Sequence, residues 1–253
     1  MSDIEWIEPT WPAPPNVQAA TTLRAGGVST GPFSTLNLGA HVGDDLAAVA
    51  ENRRRVRERL RLPSEPLWLN QVHGTTVIEA GDFSAPPTAD AAFSRAANRV
   101  CAVLTADCLP VLLCDESGTR VAAAHAGWRG LVGGVLARTV AALEVDPKRL
   151  LAWLGPAIEQ EAFEVGPEVR EQFLALDNAH EQAFVRNARG RWQADLYALA
   201  RRELQRLGVQ AVYGGGFRVY AEAERFFSYR REGRTGRMAT LIWMEWKRLP
   251  RRA

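Results

Sequence analysis

Apolar residues gather in short blocks broken by glycine, proline and aspartate, most sharply between residues 100 and 130. One apolar run covers 100–106, and Asp107-Cys108-Leu109-Pro110 interrupts it at a turn. A second run covers 111–114 and leads through Asp115-Glu116-Ser117-Gly118 to a third at 121–124, which ends at His125-Ala126-Gly127-Trp128-Arg129-Gly130. Runs this short, bounded by turn formers, predict buried strands more readily than helix. They place Cys108 and His125 where strands end and side chains can converge.

The same criteria predict strands at 17–23, 67–74, 75–80, 150–154, 209–213, 217–220 and 239–246, and leave 88–94, with Asp90 near the site, ambiguous. Helices are expected at 46–60 behind an Asp44 or Asp45 cap, at 131–143, within 165–176 after Pro167, and from Asp195 to about residue 207, where Gly208 ends it. The arginines of the first helix read as a solvated face, and the amides at the start of the second would favour an anion. Residues 226–237 form an arginine-rich loop, 1–16 an extended proline-rich segment and 247–253 a basic tail. Strands and helices mix without regular βαβ alternation, which predicts an α+β fold. The lack of repeats or linkers predicts one domain over 1–253.

Composition narrows the function classes. A hydrophobic content of 47% allows a substantial core, and a net charge of +2 argues against a dedicated nucleic-acid or membrane binder. Lys148 and Lys247 are the only lysines among 31 basic residues, so arginines supply the candidate anion binders. Three cysteines form no disulfide framework and the first residues carry no signal pattern, so a cytoplasmic protein with free thiols is expected. No apolar stretch is long enough to span a bilayer. Cys101 and Cys114 alternate with apolar residues and are expected to be core thiols.

His73, Cys108 and His125 remain as a possible set of two imidazoles and one thiolate. Zinc accepts both donor types, and a catalytic zinc takes three protein ligands and keeps one position open. The spacing is not a diagnostic metal signature.

Four segments resemble the YfiH family, also called the polyphenol oxidase or laccase-domain family. They are Trp68-Leu69-Asn70-Gln71-Val72-His73-Gly74, Ala106-Asp107-Cys108-Leu109-Pro110-Val111-Leu112-Leu113, His125-Ala126-Gly127-Trp128-Arg129-Gly130, and Phe227-Ser228-Tyr229-Arg230-Arg231 with Thr235-Gly236-Arg237. They occur in the family's order, and the resemblance runs from Thr21 to Trp243. It implies a layered α/β/β/α sandwich similar to the cysteine-hydrolase fold of a bacterial necrotizing toxin. It also implies a metal site on His73, Cys108 and His125, with zinc expected ahead of copper. The implied activity is phosphorolysis of adenosine, inosine, guanosine and methylthioadenosine and deamination of adenosine, with nucleoside and phosphate as the only partners and a monomer favoured.

On that reading Arg24, Arg129 and Arg230 or Arg231 are candidates to hold phosphate. Asn37, Gln71 and Asp107 are candidates to orient base, ribose or water. A second reading makes Cys108 a nucleophile paired with His125, as in relatives that edit peptidoglycan by removing a wrong amino acid from a UDP-MurNAc precursor. A third is a non-catalytic, zinc-stabilised binding domain, which would need a fourth ligand. Four histidines, counting His41 and His180, are too few for a multicopper centre. Two places depart from the family pattern. Glu159-Gln160-Glu161-Ala162 and Phe217-Arg218 stand where many relatives carry cysteines, which alters possible pocket walls.

Overall fold

The computed structural model describes residues 3–245, so Trp246 and the basic tail expected at 247–253 lie outside the described residues. In chain order the elements begin with β1 (Trp6–Ile7), β2 (Val17–Thr22), α1 (Leu46–Arg59), β3 (Val77–Glu79) and β4 (Ala91–Ser94). The central stretch supplies β5 (Cys101–Thr105), β6 (Leu109–Asp115), β7 (Val121–Ala126), α2 (Trp128–Gly133) and α3 (Val135–Leu143). Then follow β8 (Leu150–Leu154), β9 (Glu164–Val165), α4 (Pro167–Leu176), β10 (Phe184–Arg186), β11 (Trp192–Ala194) and α5 (Leu196–Arg206). The described chain closes with β12 (Ala211–Gly214), α6 (Tyr229–Glu232) and β13 (Met238–Met244).

Every residue of β5, β6, β7 and β13 is buried, which is why these strands are apolar at consecutive positions. Their alternating side chains define the layers. On the six-stranded sheet, ordered β12-β8-β6-β7-β4-β3, Leu109, Val111, Leu113, Ala122 and Ala124 face α2 to α5. Leu112, Cys114, Val121 and Ala123 face the other way, against Cys101, Val103 and Ile242 of the four-stranded sheet β1-β2-β13-β5. The far side of that second sheet, through Ala102, Leu104, Leu241 and Trp243, packs on Val56 of α1. The order is helix, sheet, sheet, helix, an α+β sandwich. A small sheet β10-β11-β9 lies outside the two large ones.

Local rules account for most boundaries. Asp45 caps α1 by accepting from the Ala47 N–H, whereas Asp44 is taken by Ser29 and Asn37. Asp195 caps α5, and Pro167 opens α4.

Several expected elements differ. The helix expected over 131–143 is two helices, because Gly134 at φ +89° adopts a left-handed conformation that ends α2 and starts α3. The anion-favouring helix start expected there belongs to a six-residue helix instead. The expected strand 67–74 keeps only two bridges, Leu67 to Cys101 and Asn70 to Thr88, and then leaves the sheet. The expected strand 217–220 does not form; the Tyr220 and Ala221 N–H groups donate to the buried Glu159 carboxylate at 3.0 and 2.9 Å. Leu109 and Pro110, expected in a turn, already belong to β6, and β7 extends through His125 to Ala126.

Candidate active site

Cys108 precedes β6, and His125 sits near the end of β7, opposite Pro110 in the β6–β7 register. The hairpin therefore brings the thiol and the imidazole to one end of the six-stranded sheet. His73 arrives from the 71–74 segment that left the sheet, and takes φ +60°. The ligand-type atoms of His73, Cys108 and His125 all lie within 4.8 Å of one another, with Cys108 Sγ 3.9 Å from His73 Nε2. Metal bonds of about 2.3 Å to sulfur and about 2.1 Å to nitrogen put the two atoms about 3.6 Å apart in a tetrahedron. The donors fit a metal ion with a small closure. Gly127 makes the approach possible, because a Cβ there would stand 2.9 Å from Cys108 Sγ and 3.3 Å from His73 Cδ2.

Asp90 holds this arrangement together. It is fully buried immediately before β4, beside β7. Its Oδ1 accepts from the His73 N–H and lies 2.9 Å from His125 Nδ1, while Oδ2 accepts from the Val72 and Gly74 N–H groups. One carboxylate thus fixes both the loop carrying His73 and the ring of His125, leaving His125 Nε2 as the nitrogen available to the cluster. Burial works against its charge, but the His125 contact and the Gly74 and Val72 donors keep its pKa below the ordinary value.

The thiol and imidazole reinforce each other. Burial opposes ionisation of Cys108, yet His125 and then His73 outweigh it and bring the thiol down to about 6. Burial likewise opposes charge on His125, but Cys108 and Asp90 raise it to about 9. The pair favours thiolate and imidazolium. By contrast, burial pushes the Cys101 thiol far up, and the Cys114 thiol up to about 12.

The three donors open onto a cavity of about 400 Å³. Arg129 and Arg230 line it, as do Gln71 and Asp107, while Arg24, Asn37 and Arg231 do not. Arg24 pairs with Glu232 at 2.8 Å, donates to the Ala223 carbonyl and stacks on Phe227, so it braces the C-terminal loop. Arg231 also pairs with Glu232 and donates to the Val219, Tyr220 and Phe226 carbonyls. Asn37 is buried and joins Gly39, Asp44 and the Arg237 N–H. Gln71 exchanges two hydrogen bonds with the backbone of Leu104, so its amide is spent on the strand. Both Asp107 oxygens are committed, one to the Ser228 hydroxyl and one to the Arg230 N–H. Burial still leaves the Asp107 carboxyl above its ordinary pKa.

The cavity also contains residues the sequence reading did not single out for the site: His41, Trp128, Phe163, Tyr229 and Arg237. Arg237 closes the Thr235-Gly236-Arg237 motif, which was its available signal. His180 is remote in role, with Nδ1 3.0 Å from the Phe173 carbonyl and Nε2 2.9 Å from Glu203. Of the positions that depart from the family pattern, Glu159, Glu161, Ala162 and Arg218 contribute instead to a neighbouring groove that shares Arg230. Among the described residues no helix is long and apolar enough to cross a membrane.

Comparison with known proteins bears on the family and the fold. A purine nucleoside phosphorylase of Pseudomonas aeruginosa is 56% identical over 241 residues, covering 95% of this chain and 98% of the relative. Purine nucleoside phosphorylase YfiH of Escherichia coli is 52% identical over 239 residues, covering 94% and 98%. A Neisseria meningitidis crystal structure superposes with a TM-score of 0.92 at 50% identity, covering 95% of this chain and 99% of that one. YlmD from Geobacillus stearothermophilus gives a TM-score of 0.89 at 29% identity, covering 97% and 98%. The model of one family, described as multi-copper polyphenol oxidoreductase laccase, matches residues 18–245. Sequence and fold therefore agree over nearly the whole described chain, and it belongs to the multi-copper polyphenol oxidoreductase laccase family, in which the YfiH proteins fall.

Proposed function

We propose that this chain is a zinc-dependent purine nucleoside enzyme that cleaves adenosine, inosine, guanosine or methylthioadenosine with phosphate and also deaminates adenosine. It would act as a single-domain cytoplasmic monomer. The observation that carries the reading is the convergence of His73, Cys108 and His125 on a cavity with arginines in its wall. The names of the Pseudomonas and Escherichia relatives support the substrate class. Copper in a multinuclear centre suits the residues less well, since His180 is committed elsewhere and His41, though it lines the cavity, is not among the three close donors.

In phosphorolysis a phosphate oxygen bonds to C1′ of the ribose while the bond from C1′ to the base nitrogen breaks. The base leaves with the electron pair and takes up a proton. Arginine side chains in the wall would hold the phosphate and oppose its charge. Tyr229, 60% exposed at the cavity wall, offers a ring against which a purine can stack. Asp90 would act through His73 and His125, keeping their rings in register. A zinc ion held by His73, Cys108 and His125 would supply Lewis acidity to the adjoining substrate.

The test is chromatography of products from adenosine with and without phosphate, using wild type and Cys108→Ala at known metal content. Adenine plus ribose phosphate, or inosine, formed by wild type and lost in the variant, is the expected result. Absence of turnover by folded, zinc-loaded wild type would refute the reading.

One observation favours a second reading. His125 lies within reach of Cys108 and is oriented by Asp90, the order of a nucleophile, base and orienting acid. On this reading the chain cleaves an amide in a cell-wall precursor. Release of the amino acid from a UDP-MurNAc precursor by metal-free protein, with adenosine inert, would select it.

A further inference from the structure

Among the described residues three arginines line the cavity, and they differ in burial and in how their guanidinium groups are held. Arg230 is exposed, and both its Nη atoms donate to backbone carbonyls, of Ala162 and Glu164. Arg129 is exposed and lies 4.5 Å over the Trp128 ring. Arg237 is only part-exposed; its guanidinium lies 6.0 Å over the Tyr229 ring, and among the described residues it has hydrogen bonds only through Nη1, to the Thr235 and Gly236 carbonyls at 2.9 Å each. No carboxylate of the described residues pairs with it. The Nε and Nη2 edge, the geometry that grips an oxyanion with two parallel hydrogen bonds, is uncommitted.

That is a costly way to keep a cation. Burial lowers the Arg237 pKa, opposed by the charges of Cys108, Asp107 and Tyr229. Among the described residues most other part-buried arginines find a carboxylate, as Arg24 and Arg231 do, whereas Arg53, on the far side of the fold, bonds only the Leu38 carbonyl and stacks on Trp68. A part-buried guanidinium with no carboxylate partner and a free Nε–Nη2 edge beside a reactive cluster is the arrangement expected where an anionic ligand supplies the missing partner.

The surroundings also fix its position. The Arg237 N–H donates to Asn37 Oδ1 at 2.9 Å, and its carbonyl accepts from the Leu38 N–H at 3.2 Å. Gly39 lets the stem pass, because a Cβ there would stand 2.8 Å from Arg237 Cγ. The asparagine expected to orient substrate therefore positions the arginine.

We propose that Arg237, held by Asn37 and Gly39, is the principal binding residue for inorganic phosphate in this cavity, ahead of Arg24, Arg129 and Arg230. The assignment of phosphate as the anion rests on the phosphorolytic reading; the oxyanion site itself rests on the geometry.

Titration calorimetry with inorganic phosphate, on zinc-loaded protein without nucleoside, tests it independently of turnover. Wild type binds, and Arg237→Ala weakens binding by about 10- to 100-fold, the worth of one or two charge-assisted hydrogen bonds. Arg237→Lys recovers part of the loss, since it restores charge but not the fork. Gly39→Ala, which displaces the stem while keeping the guanidinium, weakens binding too and serves if Arg237→Ala does not fold. Unchanged affinity in folded Arg237→Ala, or no phosphate binding by wild type, overturns the proposal. Adenosine 5′-monophosphate binding more tightly than phosphate, and only when Arg237 is present, would overturn the assignment to free phosphate. Phosphate binding that depends on Arg237 in a protein that never phosphorolyses nucleosides would sink the phosphorolytic reading and leave the oxyanion site standing.

Discussion

Replacing Asp90 by asparagine keeps the shape of the side chain and removes its charge and one acceptor oxygen. In the native protein Oδ1 serves the His73 N–H and His125 Nδ1, and Oδ2 serves the Val72 and Gly74 N–H groups. Whichever way the amide turns, its NH2 faces two of these four partners. If it faces Val72 and Gly74, two backbone donors in a buried site lose their acceptor. If it faces His125, it favours the tautomer with the proton on Nε2, the nitrogen the cluster needs free. Two charge-assisted hydrogen bonds are worth about 3–6 kcal/mol together. That loss divides between folding and the order of the 72–74 loop. Outer-sphere partners of metal-binding histidines are worth about 10- to 100-fold in metal affinity. Asp90→Asn should therefore bind zinc about 10- to 100-fold more weakly in competition with a chromophoric chelator, and unfold at lower denaturant. Native zinc affinity with an unchanged unfolding midpoint would refute the idea that this carboxylate sets the geometry of both histidines.

Gly127→Ala should leave the fold intact but lower zinc occupancy, measured by elemental analysis, because its Cβ would stand 2.9 Å from Cys108 Sγ. In metal-free protein near neutral pH, iodoacetamide should modify Cys108 alone, with the label located by peptide mass spectrometry; Cys101 and Cys114 are buried and their thiols are held protonated. Burial tends to raise the Glu232 carboxyl, but Thr235, Arg231 and Arg24 hold it below its ordinary 4.5. The stability it contributes is therefore present above that ordinary value and lost as pH falls through the lower folded value. Glu232→Gln should flatten the acid limb of stability against pH, and an unchanged limb would remove this network from the account. Arg24→Ala should lower stability by about 1–3 kcal/mol, less than for a fully buried pair because both partners are partly exposed. It should leave phosphate affinity unchanged.

How much was legible follows from what each residue's role depends on. The strands around 101–126 were readable because burial on both faces writes itself into consecutive apolar positions. The cap Asp195, and the first cap to within the pair Asp44 and Asp45, were readable because capping is a contact between near neighbours in sequence. The break at Gly134 was not, since an apolar face continues through it and only the left-handed backbone interrupts the helix. The strand expected at 217–220 failed because its N–H groups found Glu159, some sixty residues earlier, in place of a sheet partner.

The sequence by itself determined the α+β composition, the free-thiol chemistry, the family resemblance and the three residues His73, Cys108 and His125 as a possible donor set. Tertiary structure alone decided which polar residues face the cavity. Arg24 and Arg237 are chemically identical in the sequence, yet among the described residues Glu232 pairs with the first and no carboxylate pairs with the second. Asp90 was expected near the site, but its role shows only once β7 brings His125 beside it and the 72–74 loop folds over it. Donor identity is a property of the residue and can be read locally. Its pairing state depends on which groups the packed sheets and loops place within hydrogen-bonding distance.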